Sequence, residues 1–136
     1  EFEQISLKPG FMKHNGGIMF KAISENEYQF KTTITENHLN AAGITHGGFI
    51  AAFVDAGAGT AAHRSASNSP CVTISLELKF ISAIKLGQEL VGNTKIQKKT
   101  KTMVFLTSEL VVGNRIVATA SGVWKILKLT GAGPGG

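Results

Sequence analysis

Between residues 47 and 62 the chain is almost unbroken in apolar residues, with Asp55 as the single ionisable group. Read as a helix, this stretch is apolar on nearly every side and must be buried. In Cys71–Phe80 the even positions Val72, Ile74, Leu76, Leu78 and Phe80 are apolar, while the odd ones include Thr73, Ser75, Glu77 and Lys79. Strict alternation predicts a half-buried strand with Thr73 on its polar face. Residues 102–112 alternate again, with Val104, Leu106, Leu110 and Val112 on one side. Residues 90–98 are compatible with a strand, and 115–127 are β-branched around Trp124. Two further β-rich runs, 18–23 and 28–35, flank Ser24-Glu25-Asn26-Glu27, a hairpin turn.

Breakers fall between these runs. Residues 36–45 read as a surface loop, Ser, Asn and Pro in 65–70 stop the helix, and 98–101 and Gly113-Asn114 are short enough for hairpins. The layout is two strands, one long helix, then four strand runs in a meander. This predicts an α+β fold, an antiparallel sheet curved around a single central helix. Such a sheet leaves one side of the helix uncovered, most cheaply closed by a second copy of the chain. Residues 1–17 read as an N-terminal arm or short helical turn, 18–128 as the domain, and 129–136 as a flexible Gly-rich tail. There is no internal repeat.

Composition narrows the picture. One domain is expected from 136 residues, and 43% hydrophobic content with a mean hydropathy of +0.10 marks a globular chain. Cys71 is the single cysteine, so no disulfide can form within the chain, which fits a reducing, cytoplasmic setting. No charge-free apolar run of about 18 residues exists, so no membrane-spanning helix is expected. The chain opens on Glu1, without methionine, which leaves its native start open, and nothing in it reads as a signal peptide. A net charge of +5 and a pI near 9.5 suggest an anionic partner. The basic residues are scattered, aromatics make up 7%, and no nucleic-acid-binding motif is present. A small polyanion, such as a phosphorylated ligand, suits this modest excess equally well.

The chemistry gathers on the long helix. A carboxylate in an apolar helix is expensive unless it is paired or functional, and Asp55 is introduced by His46-Gly47-Gly48. Asn40 lies six residues before His46, Asp55 nine after it, and Thr73 on the next strand. This order and spacing resemble the PaaI-like, acyl-CoA thioesterase 13-like branch of the hotdog-fold thioesterases. The resemblance spans residues 18–128 and includes Leu86-Gly87-Gln88 at the turn after that strand. It implies a hotdog fold and hydrolysis of a small or medium acyl- or aryl-CoA thioester. Coenzyme A would enter as part of the substrate, with no separate cofactor and no metal. By the same resemblance, the Gly47 N–H is the oxyanion donor, His46 and Asn40 orient the site, Asp55 is the base or a nucleophile, and Thr73 holds the water or the acid. Gly48, lacking a side chain, lets the carbonyl approach. Lys98, Lys99 and Lys101 are candidates for the coenzyme A phosphates, followed by Arg64, Lys79 and Arg115.

One requirement follows from helix geometry alone. Gly47 and Asp55 are eight residues apart, about 12 Å along one helix. An oxyanion donor and a base acting on one carbonyl must both lie within a hydrogen bond of it, or one water away. If both act, they come from different subunits, so the chain is expected to form a homodimer, extended in the family to a homotetramer.

Other readings compete. Asp55 could be a surface residue or pair with Thr60, and 98–101 could be only a solvated hairpin tip. His14, His38 and His63 form no zinc-ligand spacing with Cys71. Gly57 and Gly59 could serve close packing. They could also be forced into a dinucleotide fingerprint with Glu77, but 65–70 stops the required helix and only strands follow. A non-catalytic acyl-CoA-binding or sensing protein on the same fold is the alternative function. A hotdog hydratase fits less well, since no His follows Asp55 at short range.

Overall fold

The computed structural model describes residues 1–128; the tail expected over 129–136 lies outside the described residues. The elements in order are β1 (Glu3–Gln4), α1 (Phe11–His14), β2 (Met19–Ala22), β3 (Glu27–Thr33), a 3-10 turn at Glu36–His38, α2 (Gly47–Ser65), β4 (Cys71–Phe80), β5 (Glu89–Lys99), β6 (Met103–Val112) and β7 (Arg115–Ile126). All seven strands form one antiparallel sheet in the order β1-β2-β3-β5-β6-β7-β4. It packs on the single long helix α2, which is the hotdog architecture. No helix among the described residues is long and apolar enough to cross a membrane.

The meander expectation needs correction. β5, β6 and β7 are consecutive neighbours, but β4 lies beyond β7 at the sheet edge, and β5 pairs with β3. Packing supplies the reason. Phe30 of β3 is fully buried and sits opposite Gly92 of β5, where a Cβ would come within 2.5 Å of its ring. The same ring rests on Gly57 of α2, where a Cβ would approach to 2.2 Å. Both neighbours of Phe30 must therefore be glycine, and the β3–β5 pairing and the helix crossing are locked by one aromatic. Gly57 is thus a packing glycine, while Gly59 faces the buried Trp124 indole.

Alternation holds in β6, where Val104, Leu106 and Leu110 are buried. It fails in β4. Thr73 pairs with Trp124 but Ser75 pairs with Val123, so Ile74 is an extra, bulged residue. A bulge switches which parity faces the core. Leu76 and Leu78 pack against the core, as does Cys71 on the other side of the bulge, while Val72 and Ile74 are 44% and 53% exposed. The predicted apolar face of five even positions is therefore split, and Thr73, exposed in the single chain, stands on the helix side of the strand.

α2 buries Phe49, Ile50, Phe53, Val54, Gly57, Ala58, Ala61 and Ala62. Its opposite side, including Asp55, is open in the single chain. The helix is therefore dry on one side only, where the sequence pattern had suggested burial all round. The uncovered side is flanked by the free edge of β4.

Candidate active site

Helix α2 begins at a tightly specified corner. The His46 N–H donates to the His38 carbonyl (2.8 Å), and Thr45 donates both its N–H (2.8 Å) and its hydroxyl (2.7 Å) to the Ile84 carbonyl. His46, in an extended conformation (φ −66°, ψ 132°), caps the helix: its Nδ1 accepts from the Gly48 N–H at 2.7 Å. The Phe49 and Ile50 N–H groups reach the His46 carbonyl. Of the first four amides of α2, those of Gly48, Phe49 and Ile50 are engaged, and the Gly47 N–H has no partner among the described hydrogen bonds. An unsatisfied amide at the positive end of a helix is suited to receive an oxygen that gains negative charge.

The two glycines differ in purpose. A Cβ on Gly48 would meet His46 Nδ1 at 2.9 Å, so Gly48 lets the imidazole close over the helix end. A Cβ on Gly47 would only touch the Phe80 ring at 3.5 Å, an ordinary contact. Phe80, 57% exposed, is thus a wall beside the free amide that the alternation pattern had assigned to the core.

Asp55 lies on the open side of the same helix. Its Oδ1 accepts from the Thr73 hydroxyl at 2.6 Å, a length typical of a hydroxyl bonded to a carboxylate. The β4 bulge brings that hydroxyl to the helix. Thr60, the other partner considered for Asp55, instead donates to the Ala56 carbonyl. Cys71, two residues before Thr73, is partly buried, and desolvation raises its thiol pKa above the ordinary value.

Asn40 organises the loop ahead of the helix. Its Oδ1 accepts from the Ala42 (2.9 Å) and Ile44 (3.3 Å) amides. His38, unassigned from sequence, is fully buried and stacked on Phe49 with ring centroids 3.8 Å apart. Its Nδ1 accepts from the Thr35 N–H (2.9 Å), so the ring proton sits on Nε2 and donates to the Asn15 carbonyl (2.6 Å). Thr35 with His38 three residues later is a capping arrangement that the sequence does carry, although His replaces the usual Glu or Gln.

The basic candidates separate. Lys99 donates to the Ser65 carbonyl (2.5 Å), closing the C-terminal end of α2. Arg64 pairs with Glu3 at 2.8 Å, Lys79 with Glu77 at 3.5 Å, and Arg115 holds Ser82 and the Ala83 carbonyl. Lys98 and Lys101 are exposed and take part in none of the described side-chain bonds.

Comparison with known proteins places this geometry in a family. The Thioesterase superfamily profile matches residues 42–119, more than half the chain, from the Asn40 loop through α2 to β7. The chain belongs to the thioesterase superfamily. This thioesterase is 36% identical over 94 residues, 68% of its length and 70% of the relative's, to the Pseudomonas aeruginosa protein named "Putative esterase PA0474". It is 26% identical over 102 residues to mouse Acyl-coenzyme A thioesterase 13, covering 75% of this chain and 73% of the relative. In fold it is similar to a Streptococcus mutans protein crystallised bound to acetyl-CoA, with a TM-score of 0.79 at 17% identity over 92% of this chain and 97% of that one. The superfamily and its PaaI-like, acyl-CoA thioesterase 13-like branch are those the sequence motif resembles.

Proposed function

We propose that this thioesterase hydrolyses small or medium acyl- or aryl-CoA thioesters with a composite site, Gly47 from one subunit and Asp55 from another. The observation that carries the reading is the Gly47 N–H, left without a partner at the start of the helix that also bears the Thr73-held Asp55. The free amide stabilises the oxyanion as water adds to the thioester carbonyl. The Asp55 carboxylate takes the proton from that water, and collapse of the intermediate expels the coenzyme A thiolate and leaves the free acid. Thr73, donating to Oδ1, orients the carboxylate so that Oδ2 stays free to accept the water proton. Direct attack by Asp55 on the thioester carbonyl, expelling the coenzyme A thiolate to give an anhydride that water then hydrolyses, is the second form of the same reaction. His46 and Asn40 position the amide through the helix cap and the loop that feeds it.

A homodimer supports this arrangement. β4 leaves ten residues of unpaired strand edge, flanked by exposed Val72, Ile74, Phe80 and Ile81, and the Asp55 side of α2 is uncovered. Open edges with apolar flanks are what a strand-to-strand twofold contact closes. Assembly of such dimers into a homotetramer is the expected next level. For the coenzyme A phosphates we assign Lys98 and Lys101, since Lys99 is committed to the helix end. A single cysteine, with no disulfide open to it inside the chain, supports action in the cytoplasm.

The test is thiol release from short, long and aromatic acyl-CoAs by the wild-type protein and by Asp55→Asn. Loss of about a hundred- to ten-thousandfold in kcat, with the fold intact, is expected for removal of a general base. Undiminished turnover by Asp55→Asn takes Asp55 out of the mechanism. Tight acyl-CoA binding with no thiol release would instead favour the sensing protein.

A further inference from the structure

Resting on the proposed thioester chemistry, we infer that the cleft between α1 and the start of α2 receives the acyl or aryl group of the substrate, with Phe11 as its specificity-determining wall. The cleft has a volume of about 370 Å³ and is lined by Phe11, Asn15, Leu39, His46, Gly48 and Phe49. That volume lies within the range of small-molecule sites. Two of its walls, His46 and Gly48, are the capping pair that flanks the free Gly47 amide. A thioester carbonyl bound there has its acyl substituent within reach of the cleft.

Phe11 has no part in the hydrophobic core. It is 61% exposed on a four-residue helix that touches the core through Met12 and has no fully buried residue. Yet its place is fixed. Both the N–H (3.0 Å) and the side-chain amide (2.8 Å) of Asn15 donate to the Phe11 carbonyl. The Gly17 N–H donates to the Met12 carbonyl at 2.7 Å, and the Asn15 carbonyl is bound by buried His38. An exposed aromatic held this firmly beside a cleft presents a preformed apolar wall. Phe49, buried and stacked on His38, also lines the cleft, so an aryl or medium acyl group there has two aromatic rings to pack against. An acetyl group offers the Phe11 ring a single methyl to pack against, so the residue favours larger acyl or aryl groups.

The experiment compares wild type, Phe11→Ala and Phe11→Leu in two assays. Calorimetric titration uses an unhydrolysable aryl thioether of coenzyme A and coenzyme A itself. Thiol release uses phenylacetyl-CoA and acetyl-CoA. Phe11→Ala is expected to weaken the aryl thioether by about five- to tenfold while coenzyme A changes by less than about twofold. The same selective loss is expected in kcat/KM for phenylacetyl-CoA against acetyl-CoA, and Phe11→Leu recovers part of it. The unfolding midpoint of both variants is expected to match wild type, as Phe11 lies outside the core. Equal loss for both ligands, no loss for either, or a wild type that binds the aryl thioether no better than coenzyme A overturns the assignment. Phe11-dependent aryl binding without thiol release from any substrate overturns the hydrolase reading and leaves the cleft standing.

Discussion

Replacing Gly47 with proline deletes one amide hydrogen and leaves the helix start otherwise provided for. Proline is favoured at the first position of a helix, where its missing N–H has no intrahelical role. The residue before it must be extended, and His46 already is, at φ −66° and ψ 132°. The deleted hydrogen takes part in none of the described hydrogen bonds, and an added Cβ meets only the Phe80 ring at 3.5 Å. Gly47→Pro is therefore expected to fold and to lose about a hundred- to a thousandfold in kcat, the usual effect of removing one oxyanion donor. Asp55→Asn is inactive for a different reason, because it keeps the donor and loses the base. The two variants together test where the groups come from. In a twofold dimer with one site per interface end, a mixed dimer has one site built from an intact Gly47 and an intact Asp55, and one carrying both defects. Half the dimers in a random equimolar mixture are mixed, so about a quarter of wild-type activity should return. The assay is thiol release after co-expression, or after joint unfolding and refolding, of the two variants. Activity no higher than the sum of the separate variants, with mixed dimers shown by mass, would refute the composite site.

Gly57→Ala places a Cβ about 2.2 Å from the buried Phe30 ring and is expected to cost about 1–3 kcal/mol or more by overpacking. Urea unfolding measures it, and an unchanged midpoint would contradict the close approach of α2 to β3. Tyr28 is the single tyrosine, so phenolate absorbance reports it alone. Burial raises its pKa above 10.0, Arg64 lowers it by a smaller amount, and Glu25 adds a slight rise. The folded chain thus holds this proton more tightly than the unfolded one. The stability it confers is complete below pH 10 and is lost as pH climbs through the raised value. Spectrophotometric titration of the folded protein is expected to show a midpoint above that of the urea-unfolded chain, and Tyr28→Phe to lack the corresponding fall in stability.

Most of the architecture was legible because its determinants are local. The apolar run with one acid specifies a long helix against a sheet, and the alternation of β6 survives intact in the burial of Val104, Leu106 and Leu110. The His-Gly-Gly corner was equally legible as a helix start with room beside it. Strand order was not, since β5 finds β3 through Phe30 and Gly92, sixty-two residues apart in the chain. The partner of Asp55 was only half legible. The resemblance to the thioesterase motif pointed to Thr73, but alternation put its hydroxyl on the wrong face, and no local signal in Thr73-Ile74-Ser75 announces the extra residue. His38 escaped because its role is set by Asn15, twenty-three residues upstream. Lys99 was misleading for the opposite reason: a basic hairpin tip looks free until the end of α2 is placed beneath it.

The bulge at Ile74 has a consequence for how this chain is compared with others. Thr73 pairs with Trp124 and Ser75 with its chain neighbour Val123, so a strand lacking the extra residue would pair without a break and keep Cys71, Val72 and Thr73 on their present sides. A cousin one residue shorter at that point would offer its hydroxyl to the same acid from an unchanged place, one step nearer along the chain to the strand's apolar half. Matching letters column by column would then report the group as missing, although it stood in the same place in space.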